Sequence, residues 1–161
     1  MALFTKLPDD ALFLCRDDSE ESLASFSRHP FELDGMEWQS VEHYFQAMKF
    51  TDPALREKIR TAPHPKIAQK TALWQFWKVR KDWKTIQRSM MTRGTWIKVH
   101  QYPEIAQKLL DSGERMIVES SNYDYYWGCG RDQRGHNYYG KMLMDVRNKL
   151  RQEASGQVVS N

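Results

Sequence analysis

Glu42, Gln46 and Lys49 place an acid, an amide and an amine in one short run, QSVEHYFQAMKF, Gln39–Phe50. At 100° per residue the three fall in a helical stripe roughly 60° wide. Val41, Phe45 and Met48 form an adjoining apolar stripe. A polar row flanked by apolar groups suits one wall of a pocket. Glu42 falls in the first helical turn, where the positive end of the helix favours an ionised carboxylate. That equips it to accept a proton or to stabilise a cation. Lys49, where partly buried, has the chemistry of a nucleophilic amine. The same pattern also fits an ordinary amphipathic helix with a solvated Glu–Gln–Lys face.

A second concentration of chemistry lies at Glu119–Asn137, ESSNYDYYWGCGRDQRGHN. It keeps neither helical nor strand period. Four near-contiguous aromatics, Tyr123, Tyr125, Tyr126 and Trp127, argue against disorder. Asp124 and Glu119 are candidate acids or bases, and Trp127 or a neighbouring tyrosine a candidate stacking surface for a heteroaromatic ring. Gly128, Gly130 and Gly135 permit close backbone approach to a ligand. Asn137 is either the N-cap of the last helix or a ligand contact. Trp38 and Gln46 are further candidate substrate contacts. Arg80, within the basic run Lys78, Arg80, Lys81, Lys84 and Arg88, is a candidate phosphate partner. The five histidines include no pair at four-residue spacing, so no metal site and no cofactor is expected.

The elements that must hold these groups read as mainly helical. Asp34-Gly35 between alternating residues predicts a β-hairpin over Phe31–Trp38. Ser40 reads as the N-cap of a helix reaching Phe50, and Asp52-Pro53 restarts a helix with Leu55 and Ile59 buried. A short helix over Lys66–Thr71 follows a proline-broken turn. A long one begins near Asp82 with a bend expected at Gly94. A further helix starts at Pro103 and stops at Gly113, then a short strand occupies Arg115–Glu119. Tyr139, Met142, Leu143, Val146 and Leu150 mark a final amphipathic helix. The expected class is α+β, mainly α: a single compact domain over 1–150, then a flexible tail over 151–161.

The chain has 161 residues, 40% of them hydrophobic, and a net charge of +3, enough for a core and modestly basic. That balance suits a small phosphorylated ligand without calling for nucleic acid. Cys15 and Cys129 lack a CxxC spacing, which points to a reducing, cytoplasmic setting. With no apolar run near 20 residues, no membrane association is expected.

Three stretches, Leu33–Phe50, Arg80–Trp83 and Ile117–Leu150, resemble the NADAR superfamily, of the YbiA-like type. The patterns EHYFQAxKF and DxYWGxGxDxxGxNxxGxxLM carry the likeness, in the family's order, from about Leu12 to Leu150. The resemblance implies an N-glycosidase. Some members cleave the ribosylamine N-glycosidic bond of early riboflavin-pathway intermediates, which are aminopyrimidine ribose phosphates. Others remove ADP-ribose from modified guanine in nucleic acid. It implies site positions at Glu42, Lys49, Asp124, Trp127 and Asn137, with Lys49 attacking the anomeric carbon to form a Schiff base. One departure is Ala24-Ser25-Phe26, where the family usually has Ser-Asn-Phe, and it bears on substrate identity.

N-glycoside cleavage passes through an oxocarbenium-like state, which a nearby carboxylate stabilises. On this reading Glu42 takes that role or activates water. Asp124 supplies the leaving group's proton, Trp127 stacks on the base, and Asn137 bonds the sugar or base edge. The rival enzyme is an ADP-ribosyl-guanine hydrolase. A non-catalytic ADP-ribose or nucleotide-binding module is the alternative outside enzymes, and it needs neither Glu42 nor Lys49.

Overall fold

The computed structural model describes residues 6–156. Six α-helices and four three-residue strands among them make the class α+β, mainly α. They fall into two compact units: residues up to Cys15 with those from Gln107 onward, and Arg16–Ala106.

In the second of these units, β2 (Phe31–Leu33) and β3 (Met36–Trp38) form the expected antiparallel hairpin, Phe31 opposite Trp38. Asp34 and Gly35, at φ 57° and 74°, make the left-handed turn that fits strand twist. Helix α1 is Val41–Ala47, with the Ser40 side chain accepting from the His43 amide. It ends sooner than the expected Phe50. Lys49 N–H still bonds Gln46 C=O and Phe50 N–H bonds Ala47 C=O, so tighter turns carry the row on to Lys49. Helix α2 (Pro53–Arg60) is capped by Asp52 and buries Leu55 and Ile59 as expected. Helix α3 (Pro65–Trp74) outruns the short helix expected there, and a 3-10 turn follows at Phe76–Lys78. Helix α4 (Trp83–Gln101) passes through Gly94, where a Cβ would lie 3.0 Å from the Tyr44 ring. That glycine serves close packing of α1 on α4.

His43 lies about a quarter-turn of α1 away from the Glu42 row. It is 1% exposed, with Nδ1 on Ser40 Oγ and Nε2 on the Ala62 carbonyl. Burial lowers its pKa, more than the Ala62 carbonyl and Glu42 raise it. The sign follows. Between the lowered folded value and the ordinary 6.5 the unfolded chain binds more protons, so stability is complete above about pH 6.5 and falls below it. The expected result is a urea midpoint that drops from pH 7.5 to 5.5 more steeply in the native chain than in His43→Gln. Equal slopes would refute this role.

Helix α5 (Pro103–Asp111) carries the chain into the other unit. There β1 (Leu12–Leu14) pairs in parallel with β4 (Ile117–Glu119), Leu12 opposite Ile117. Helix α6 spans Tyr138–Ala154, running past the Leu150 end expected for it. Residues 157–161 of the expected tail lie outside the described residues. Among the described residues, no helix is long and apolar enough to cross a membrane.

Candidate active site

The acid of α1 is fully buried and held from three sides. Glu42 Oε2 accepts from Arg16 Nη1 at 2.7 Å and from Ser25 Oγ at 2.8 Å. Glu42 Oε1 accepts from Gln46 Nε2 at 2.7 Å. Arg16 and Glu42 side chains are 12% and 0% exposed, a nearly dry ion pair. The segment presenting Ser25 is itself pinned. The Glu42 amide donates to the Ser25 carbonyl, and the Phe26 amide to the Arg16 carbonyl. Buried Lys98 of α4 donates to the Ala24 carbonyl at 3.0 Å and to Ser27 Oγ at 2.7 Å. The position where the family's asparagine is replaced is therefore a direct partner of Glu42.

Gln46 is 2% exposed, and its Oε1 is a buried acceptor with no hydrogen-bond partner among the described residues. Such an atom is costly to leave empty. Lys49, half-buried, lies with Nζ 5.7 Å from the centroid of the Phe45 ring. Burial lowers its pKa and the Arg16 charge adds to this, while Glu42 opposes. The lowered value increases the share of neutral, nucleophilic amine near neutral pH. Phe45 also packs on Trp83 at 5.0 Å.

Arg80 meets this cluster through its backbone: its amide donates to the Lys49 carbonyl at 2.8 Å. Its guanidinium is occupied by Asp82, through Nε at 2.6 Å and Nη2 at 3.0 Å. The expected phosphate contact is thus already an internal ion pair, and the arginine's positive charge is offset. Trp38 is also placed differently from the expectation of a ligand contact. It is 2% exposed, its indole N–H donates to the Leu33 carbonyl, and its ring packs edge-on to Tyr44. It anchors the hairpin to α1.

The aromatic loop belongs to the other unit and folds back on itself. The amides of His136, Asn137, Tyr138 and Tyr139 donate to the carbonyls of Tyr125, Gly128, Tyr126 and Trp127. Asp124 Oδ1 accepts from the amides of Tyr126 and Trp127 at 3.0 and 2.8 Å, organising the turn before Trp127. Trp127 is 6% exposed, edge-on to Tyr126. The glycines are spent on the loop's own packing. A Cβ at Gly135 would lie 2.3 Å from the Gly128 carbonyl oxygen, and one at Gly130, with φ of 71°, 2.3 Å from the Tyr125 ring. Asn137 precedes α6 in the left-handed region, with no side-chain cap bond. Its amide instead clamps β4, accepting from the Glu119 amide at 2.8 Å and donating to the Ile117 carbonyl at 2.9 Å.

Arg16 and Ser25 were not among the site residues read from sequence. The only signal for Ser25 was its place at the altered family asparagine; for Arg16 there was none.

The structure thus places a buried, anchored carboxylate on α1 and a half-buried amine seven residues on, within a helical α+β frame. Residues 4–151 match the model of the NADAR domain, and the chain belongs to the NADAR family. It is 33% identical to N-glycosidase YbiA of Escherichia coli over 138 residues, 86% of each protein. It is 34% identical to an N-glycosidase of Nostoc punctiforme, covering 80% of this chain and 84% of that one. A riboflavin biosynthesis protein of Vibrio vulnificus is 35% identical over 89% of this chain and 39% of its own length. The NMR structure of E. coli YbiA superposes with a TM-score of 0.81 at 29% identity, covering 94% of this chain and 92% of that one. The chain is an enzyme of the N-glycosidase class, hydrolysing N-glycosyl compounds.

Proposed function

We propose that this enzyme hydrolyses the N-glycosidic bond of phosphorylated ribosylamines of the kind formed in riboflavin biosynthesis. The observation that carries the reading is a fully buried Glu42 followed seven residues later by a half-buried Lys49, whose basicity burial depresses and Glu42 partly restores. The riboflavin name of the Vibrio relative supports the substrate class.

In this scheme the neutral Lys49 amine attacks the anomeric carbon. The carbon–nitrogen bond to the heterocycle breaks, and its electron pair leaves with the base nitrogen, which takes up a proton. The attacking nitrogen gives up the proton that the base nitrogen takes. The bond from the anomeric carbon to the ring oxygen then breaks, and its electron pair stays on that oxygen, which takes a proton from water. The carbon is left double-bonded to the Lys49 nitrogen as an iminium. Water then adds to that carbon and releases Lys49, leaving the free ribose phosphate. The net change is substrate plus water to sugar phosphate plus free heterocyclic amine. Glu42 lowers the energy of the positive charge that builds at the sugar carbon. Gln46 Oε1, a buried acceptor with no partner among the described residues, accepts from a sugar hydroxyl. Asp124 and Asn137 fix the conformation of the aromatic loop, through the Tyr126 and Trp127 amides that Asp124 accepts from and the two bonds that Asn137 makes to β4. Bound phosphate competes with Asp82 for Arg80 or uses exposed Lys78 and Lys81.

One observation favours a second reading, removal of ADP-ribose from guanine. Trp74, Phe76 and Trp77 are 75%, 70% and 64% exposed, beside Lys78 and a few residues before Arg80. Exposed rings with adjacent positive charge suit a substrate carrying a second nucleoside.

Incubation with an aminopyrimidine ribosylamine phosphate, ADP-ribosylated guanine and unmodified nucleotides tests both readings, with products read by mass. Release of heterocycle and ribose phosphate from the first alone supports the leading reading. Turnover of ADP-ribosylated guanine alone replaces it with the second.

A further inference from the structure

We propose that Arg16 is a positioning residue that, with Ser25 and Gln46, engages the oxygens of Glu42 and fixes their orientation, so that Glu42 acts through its charge and Lys49 forms the bond to the sugar. This inference rests on the N-glycosidase scheme above.

A general base needs an open lone pair within hydrogen-bond reach of the proton it removes. Glu42 offers little room for that. Of the roughly four lone-pair sites on a carboxylate, three already receive donors, from Arg16, Ser25 and Gln46. A general acid would carry a proton on one of these oxygens, and on Oε2 that proton would face the Arg16 guanidinium, which has no lone pair to accept it. A charge-assisted N–H···O contact of 2.7 Å is the strongest of the three. Arg16 is also built into the segment that delivers Ser25, since its carbonyl accepts from the Phe26 amide at 3.1 Å. One arginine therefore fixes the acid directly and helps fix the hydroxyl beside it.

The same residue sets the electrostatic balance at the nucleophile. The charged groups acting on Lys49 are Glu42 of α1, which favours its ammonium form, and Arg16, which opposes it. With Arg16 in place, much of the Glu42 charge is answered before it reaches the amine. Without Arg16, Glu42 would hold Lys49 protonated and unreactive over a wider pH range.

The test compares the native enzyme with Arg16→Gln, Arg16→Lys and Ser25→Ala on an aminopyrimidine ribosylamine phosphate, measuring kcat and KM from pH 6 to 10. Arg16→Gln is expected to lose about 10- to 100-fold in kcat at neutral pH with KM changed less than about threefold. The rise of kcat with pH should move to higher pH in that variant. Arg16→Lys, which keeps the charge, should recover most of the rate and return the profile toward the native one. Ser25→Ala should show a smaller loss, and it keeps the idea testable where Arg16→Gln fails to fold. Native kcat and pH profile in both Arg16→Gln and Ser25→Ala would overturn the inference. So would a loss in Arg16→Gln that is equal at every pH and is not rescued by lysine, because that marks a structural arginine only. A native enzyme that releases no heterocycle from this probe removes the glycosidase scheme and this inference with it. An active native enzyme with unaffected variants removes the inference alone.

Discussion

Lys49→Met is expected to cut turnover by about 10³-fold or more while leaving the protein more stable. Methionine keeps the packing stem and removes the amine, so the loss reports chemistry. The gain follows from the sign of the pKa shift. A lowered lysine pKa means the fold disfavours the ammonium form, so at neutral pH the native chain holds a charge its surroundings resist. Relieving it should raise the thermal midpoint, the trade between activity and stability expected at a reactive residue. Calorimetry beside a steady-state assay checks both halves. Undiminished turnover would remove Lys49 from the mechanism. A lowered midpoint would show that the amine is a structural partner.

Glu42→Gln has the opposite signature, with activity and stability falling together. The amide cannot answer the Arg16 charge, and Arg16 is too buried for water to do so well. Breaking a buried pair by removing one partner costs about 3 kcal/mol or more. Turnover should fall by roughly 10²- to 10³-fold, the order seen when a group stabilising transition-state charge is removed. Urea unfolding and kcat measured on the same preparation test this. A variant as stable as the native chain would mean the 2.7 Å Arg16 contact contributes nothing net. Full activity would mean that Glu42 meets no developing charge.

The sequence disclosed those parts of the fold that local chemistry determines. Asp34-Gly35 marked the hairpin, Ser40 the start of α1, and Asp52-Pro53 the start of α2, because turns and caps are decided within a few residues. The Glu42–Gln46–Lys49 row was legible for the same reason, as a helical period. Its end at Ala47 was not, since termination there depends on tertiary surroundings. The partners of Glu42 were hidden as well. Arg16 and Ser25 lie 26 and 17 residues before it, and no local pattern links them to the helix. The parallel pairing of Leu12 with Ile117 is equally non-local. Asn137 and the loop glycines looked like ligand groups because a polar, glycine-rich loop has one composition whether it contacts a substrate or its own backbone. The structure shows what each contacts: the Asn137 amide is bonded to β4, and a Cβ at Gly135 would lie 2.3 Å from the Gly128 carbonyl oxygen. Trp38 read as a contact for similar reasons, and its indole proved to bond the hairpin backbone.

Reductive trapping tests the central claim most directly. Native enzyme is mixed with an aminopyrimidine ribosylamine phosphate, quenched with borohydride during turnover, digested and mapped by mass. The scheme predicts one reduced ribose-phosphate adduct, on the peptide containing Lys49, absent from Lys49→Met. Rapid turnover with no adduct at Lys49, or an adduct on another lysine, would contradict it.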